Sequence, residues 1–300
     1  MPRLRAVLLI LGGLLVTGAV SAKDERIWVA TSGVEAPYQE APAGLRASLV
    51  GFDLAVRPWQ ELAASGEPLT GPVVVLGVEA MKRLAESGRV GARTCLLPAL
   101  VPRSSLDRAA EAASGRVGGV YFDQPLARLV QFLRQAMPER RRVGVLLGPG
   151  SRDLQPELGH SLRKAGFEAV IGWVDDREAL PGVLRDVLAR SDVLLALPDP
   201  MVHNSQTAHH TLLAAYRKGV PVVGYSASFV KAGAAVAVFS TPEQIGRQVG
   251  DQVRTAMNSG ACPAPEGPAA FEIQVNANVA RSLELFIDPD RVERKLRGER

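Results

Sequence analysis

Short apolar runs of strand length alternate with helix-length amphipathic segments along almost the whole chain, and this rhythm restricts it to an α/β architecture built on parallel sheets. The stretch Ser191–Gly233 shows the unit most clearly. Val193–Leu197 is an unbroken apolar run that Pro198, Asp199 and Pro200 stop sharply. Asn204 or Ser205 then caps a helix with Leu212, Leu213 and Tyr216 on one side, and Lys218-Gly219 closes it before the strand-like Pro221–Gly224. The same alternation predicts strands at Ile27–Thr31, Val50–Val56, Val73–Gly77, Thr94–Leu97 and Val117–Phe122 in one half. A second half follows with Val143–Leu147, Ala169–Val174, Ala234–Phe239 and a last strand Phe271–Val275. Between the halves, a helix over Pro125–Met137 places Leu126, Leu129, Val130 and Leu133 on one face.

The N-terminus reads as an export signal. Arg3 and Arg5 precede the apolar run Ala6–Val20, and Val20-Ser21-Ala22 supplies the small residues of a cleavage site after residue 22. The run is too short and too broken by glycine for a comfortable membrane span. Loss of Arg3 and Arg5 lowers the formal charge from +4 to +2, which gives no case for nucleic-acid binding. The chain is therefore expected to be a soluble periplasmic monomer. Its two cysteines, Cys95 and Cys262, would meet an oxidising compartment; the residues alone leave a disulfide and two buried thiols equally open.

From Gly119 onward the chain resembles the type I periplasmic substrate-binding proteins of ABC transporters, in the family that includes binding proteins for tryptophan and other aromatic amino acids. Three segments carry the resemblance: VYFDQPLARLVQFLRQAMPERRRVGVLLGPGS, the run from LLALPDPMVHNSQTAHH to STPEQIGRQVGDQV, and FEIQVNANVARSLEL. The first lobe is similar in outline but compact, which marks a divergent subgroup. The resemblance implies two Rossmann-like lobes joined by three crossovers, near Val120–Asp123, Phe239–Thr241 and Pro268–Phe271, that close on a small ligand by hinge motion. It places residues 23–120 and 241–269 in lobe 1, 121–240 and 270–290 in lobe 2, and leaves 291–300 as a flexible tail. Both cysteines then fall in lobe 1, which favours the bond between them. The implied partners are a small-molecule ligand and an ABC permease, or, as the alternative, a membrane sensor served without a dedicated permease.

In an open parallel sheet, ligands bind beyond the C-terminal ends of the strands. That rule nominates Thr31 and Ser32, Gly77 and Val78, Gly150 and Ser151, Asp199, and Tyr225 and Ser226. Each has a role: Asp199 to meet a ligand amine, Tyr225 to stack or donate its hydroxyl, Gly150 and Ser151 to offer backbone N–H groups to an anion. His203, His209 and His210 invite a metal, but adjacent helical residues point about 100° apart and no further ligand completes a spacing. No cofactor is implied. The chain carries no G-x-S-x-G elbow, Walker A loop, H-E-x-x-H or G-x-G-x-x-G after its first strand, and Glu35 and Asp199 are the only acid/base pair worth naming, so no enzyme is expected.

Overall fold

The computed structural model describes residues 26–66, 68–112, 116–204 and 206–298, so the signal segment 1–22 and Ser205 lie outside the described residues. The first half contains β1 (Arg26–Thr31), α1 (Ala36–Ser48), β2 (Asp53–Pro58), α2 (Trp59–Ala64), β3 (Leu69–Leu76), α3 (Val78–Glu86), β4 (Val90–Val101), α4 (Arg103–Ala112) and β5 (Val120–Tyr121). The second contains α5 (Leu126–Ala136), β6 (Arg142–Leu147), α6 (Gln155–Lys164), β7 (Glu168–Trp173), α7 (Leu180–Leu188), β8 (Val193–Leu195), α8 (Ala208–Arg217), β9 (Val222–Gly224), α9 (Ala227–Ala232) and β10 (Val236–Phe239). The chain then forms α10 (Pro242–Ser259), β11 (Glu272–Val275), α11 (Ala277–Ser282) and α12 (Pro289–Arg297).

Two sheets result, ordered β2-β1-β3-β4-β5 and β11-β10-β9-β8-β6-β7. All pairs in the first are parallel. In the second, β11 departs from the expected parallel arrangement and runs antiparallel to β10. The reason is topological: β10 runs out toward the hinge, and β11 arrives from the hinge, so Phe239 pairs with Glu272 at the start of the returning strand.

Each sheet is covered on both faces, which explains why its strands read as continuous apolar runs. In β3, Val73 and Val75 pack with Leu84, Leu96 and Leu106 on one side. Val74 and Leu76 pack with Leu45, Leu97, Ile245 and Val249 on the other. All four are fully buried, each contributing about 1.5–3 kcal/mol by leaving water. Residues Ile245 and Val249 belong to α10, so the helix that follows β10 completes the core of lobe 1. It lies against α1 along a seam of small residues; a Cβ on Gly44 would strike the Glu243 carbonyl, and one on Gly246 the Ala41 carbonyl. Ser48 Oγ donates to Asp251 Oδ1 at 2.6 Å across the same seam.

A disulfide joins Cys95 in β4 to Cys262 just after α10, with Cα atoms 5.3 Å apart at a sequence separation of 167. Where a flexible tail is expected from residue 291, the chain instead forms α12. Asp288 caps it by accepting from Arg291 N at 3.0 Å, and Val292 is buried against the core that contains Leu129 and Leu133.

The chain passes between the lobes three times, and one hydrogen-bond chain ties the passages together. Arg128 Nη1 donates to Gln124 Oε1 at 2.6 Å, Gln124 Nε2 to Ser240 Oγ at 2.9 Å, and Ser240 Oγ to the Ala270 carbonyl at 2.5 Å. Arg128 also reaches the carbonyls of Pro268 and Ala269, at 3.0 and 3.1 Å.

Candidate functional site

The nominated residues sit beyond the C-terminal strand ends, but most of their polar atoms are already engaged. Asp199 follows β8 and is 2% exposed. Its Oδ1 accepts from Met201 N at 2.8 Å, the turn its position favours, and its Oδ2 accepts from Ser151 Oγ at 2.7 Å. Gly148 N donates to Ser151 Oγ at 3.2 Å, so the loop after β6 and the loop after β8 are locked together. A Cβ on Gly150 would stand 3.3 Å from Oδ2 of the same carboxylate. In this arrangement Asp199 holds the edge of lobe 2 and keeps no free oxygen toward the cleft.

Tyr225, after β9, gives its hydroxyl to the His203 carbonyl at 3.1 Å. Burial, reinforced by the Asp199 carboxylate, pushes its pKa up to about 12, so the hydroxyl stays protonated and donating. Ser226 caps α9, accepting from Phe229 N at 3.2 Å. His203 is buried with its ring edge-on to Phe229, centroids 5.7 Å apart, and among the described residues neither ring nitrogen has a hydrogen-bond partner. Burial holds its pKa down to about 4 despite the opposing pull of Asp199, so the ring is neutral. His209 and His210, by contrast, are exposed on α8. Among the described residues no group of three or more His, Cys, Asp or Glu is placed to hold a metal ion.

In lobe 1, Thr31 is buried at the end of β1 and Ser32 Oγ accepts from Ala80 N at 2.9 Å, pinning the start of α3. Gly77 takes φ 93°, and a Cβ there would stand 2.5 Å from Ser32 Oγ and 2.7 Å from the Tyr38 hydroxyl. Only glycine lets this turn close. Val78 opens α3 and is half-buried. Tyr38, which reading by strand ends passes over because it lies on α1, thereby joins Ser32 and Gly77 at one edge. Glu35 folds back against Gly33, and nothing in the structure pairs it with Asp199.

Of all the nominated residues, only Tyr225 lines the chamber between the lobes. This cavity of about 170 Å³ is bounded by Arg103, Tyr121 and Asp123 on one side and Leu154, Glu157, Leu197, Pro198 and Tyr225 on the other. Arg103 is the first residue of α4, and its guanidinium stands 5.8 Å from the centre of the Tyr121 ring. It pairs with Asp107 at 3.4 Å and, across the lobes, with Glu157 at 3.5 Å. Beneath it, Asp123 accepts from Arg103 N at 2.8 Å, and burial pushes its carboxyl up to about 6.

Arg103 escapes the sequence reading because β4 is expected to end at Leu97, before Pro98. The strand nevertheless continues to Val101: Pro98 stays in register with Val75 of β3, and on the other edge it falls between the Leu96–Val117 bridge and the Ala99–Val120 pair. Leu100 takes φ 57°, the register shifts there, and Arg103 emerges beyond the true strand end. A larger concavity, about 1170 Å³, lies at the opposite, N-terminal ends of the lobe 1 strands and is lined by Arg26, Arg93, Arg116 and Arg254. It is remote from the edge where parallel sheets bind ligands.

A family model described as ABC transporter substrate binding protein matches residues 104–293, more than half of the chain. Among solved structures, the fold is similar to an ABC domain in complex with L-Trp from Streptococcus pneumonia (TM-score 0.63, 16% identity, covering 89% of this chain and 98% of that one). It is similar to a ligand-free, open substrate binding protein with adhesive properties from Clostridium difficile (TM-score 0.67, 14% identity, 88% and 96% covered). A solute binding protein from Agrobacterium vitis bound with alpha-D-tagatopyranose also matches (TM-score 0.53, 14% identity, 88% and 99% covered). A search of curated proteins finds no match.

Proposed function

The chain belongs to the ABC transporter substrate binding protein family, and from that premise we propose that it is an exported receptor that captures a small solute between its lobes and delivers it to an ABC permease. The observation that carries this reading is the chamber at the strand ends, walled by both lobes and crossed by the Arg103–Glu157 pair. A site shared by two lobes converts ligand capture into closure, because each half of the contact is made only when the lobes approach. The chamber is smaller than the roughly 300–1,000 Å³ of drug-sized sites, which suits a solute of amino-acid size. No helix among the described residues is long and apolar enough to cross a membrane, in keeping with a periplasmic role after removal of residues 1–22. The alternative, a sensor without its own permease, draws on a shortened first lobe. The chamber walled by both lobes supports the receptor over that alternative.

A thermal-shift screen of the purified mature chain against amino acids, sugars and nucleosides tests the reading. A solute that binds only the folded state raises Tm by an amount that grows with its excess over Kd. A rise with at least one solute, together with slowed uptake of that solute in a deletion strain, is expected. Unchanged melting across all three classes overturns the receptor.

A further inference from the structure

We infer that the arginine-lined concavity at the N-terminal ends of the lobe 1 strands is a docking surface for a phospholipid bilayer with anionic headgroups. Its arginines come from separate elements: Arg26 opens β1, Arg93 lies on β4, Arg116 precedes β5 and Arg254 lies on α10. No Asp or Glu is among the lining residues. Arg93 is exposed, Arg116 Nε donates to the Thr94 carbonyl at 2.8 Å, and Arg254 Nη1 donates to the Ser48 carbonyl at 3.2 Å. Those carbonyls are neutral acceptors, so the three charges stay uncompensated. Of the four, only Arg26 meets a carboxylate among the described residues, Asp53 at 2.8 Å, and both side chains are about half exposed. Three uncompensated arginines on one face exceed the formal charge of +2 of the whole mature chain, which focuses positive potential there.

Two further features select a bilayer over a small soluble anion. The first is apolar. Val50, in the turn between α1 and β2, is 81% exposed at this concavity, and Phe52 and Met257 line it beside the arginines. A soluble anion makes no use of such side chains. At a lipid interface, basic groups meet the headgroup phosphates while apolar groups between them reach the acyl boundary. The second feature is chain length. Only residues 21–25 separate the apolar run ending at Val20 from Arg26, a span of about 20 Å at full extension. An export signal over residues 1–22 sits in the bilayer until it is removed, so this face of lobe 1 is the part of the fold kept nearest to lipid. The chamber between the lobes lies at the other ends of the strands and stays open to solvent while this face is engaged. Docking of this kind concentrates the chain at the membrane surface without closing its chamber.

The test is co-sedimentation of the mature chain, residues 23–300, with vesicles of phosphatidylglycerol and phosphatidylcholine in equal parts, compared with vesicles of phosphatidylcholine alone. Binding at least about tenfold tighter to the anionic vesicles, and lost as salt is raised, is expected. At roughly fivefold per charge near the surface, Arg93→Gln should weaken binding about fivefold and Arg93→Glu about twenty-fivefold. Because Arg93 is exposed, both variants should melt with the parent chain. Arg217→Glu makes the same change of charge at an exposed position of α8 in lobe 2 and should bind within about twofold of the parent. Equal losses for Arg93→Glu and Arg217→Glu would mean that net charge alone drives binding, and would overturn the docking face. Equal binding to both kinds of vesicle, or to neither, overturns it as well. If inorganic tripolyphosphate raises the Tm of the parent but not of Arg93→Glu, and neither vesicle is bound, the concavity belongs to a soluble anion and the bilayer assignment falls.

Discussion

The ligand edges of the two lobes are built on opposite plans. At the strand ends of lobe 2 the polar residues are spent on each other, Ser151 on Asp199, Asp199 on Met201 and Tyr225 on His203, while Glu157 on α6 stands 54% exposed. In lobe 1 the polar group at the chamber is half-exposed and only loosely held, with Arg103 at 3.4 and 3.5 Å from its partners. A carboxyl group at 2% exposure needs hydrogen-bond partners from its neighbours, and those bonds fix the loops. An arginine at 40% exposure has no such obligation and stays available to an incoming group. The difference is one of commitment: the buried charge of lobe 2 is spent on holding its loops, whereas the half-exposed one of lobe 1 keeps donors open to solvent.

The contrast can be broken in several places. The largest effect is expected from lobe 1, where Cys95→Ala with Cys262→Ala removes a bond closing 167 residues. On the chain-entropy model this costs about 5 kcal/mol. Urea titrations of variants that keep only Trp28 or only Trp173 would report each lobe separately, and the loss should fall on the Trp28 signal. Equal losses in both signals would mean that the lobes unfold as one unit. Next in size is Asp199→Ala, which strands the Ser151 hydroxyl and the Met201 N–H; two bonds to a charged acceptor put the loss of stability at about 4 kcal/mol. If stability is instead retained while affinity for the solute collapses, Asp199 is a ligand contact and the proposed division between the lobes fails.

A third effect is read in pH. His203 has a pKa of about 4 in the folded protein against an ordinary 6.5, so the unfolded chain takes up the proton first. Stability is then full above pH 6.5 and lost as pH falls toward 4, by about 3 kcal/mol. His203→Phe should flatten that slope in denaturant midpoints measured from pH 7 to 4. An unchanged slope would show that another group drives it. The smallest effect is Tyr225→Phe, which deletes one hydrogen bond and should lower the melting free energy by about 1 kcal/mol. A loss of 3 kcal/mol or more would mean that the loop after β8 depends on this bond as much as on Asp199.

Much of the fold is legible in the sequence because apolar runs such as Val73–Leu76 and Val143–Leu147 can be nothing but buried strands between helical layers. Less legible are elements whose stability comes from elsewhere in the chain. The short helices α2 and α9, six residues each, have too few residues to show a period, and α4 buries only Leu106. α12, which the sequence reading leaves as a tail, is charged along most of its length and is held by Val292 and its Asp288 cap. The site divides the same way. Strand-end logic finds Ser32, Gly77, Asp199 and Tyr225, but it cannot tell a committed oxygen from a free one. It misses Arg103 because Pro98 looks like a strand terminator, whereas the parallel ladder tolerates it between the Leu96–Val117 bridge and the Ala99–Val120 pair. Glu157 gives no local signal at all; it matters only because α6 faces α4 across the lobes.

The seam between α1 and α10 and the Cys95–Cys262 bond also fix an order of events. A polypeptide that emerges from a translocation channel N-terminus first exposes β1 to β5 long before α10 exists. Until residue 262 is out, lobe 1 lacks the helix that buries Val74 and Leu76 and the thiol that closes its framework. The lobe that starts first is thus completed late, and during that interval its bare sheet face and the lone Cys95 thiol have no partner from the chain itself.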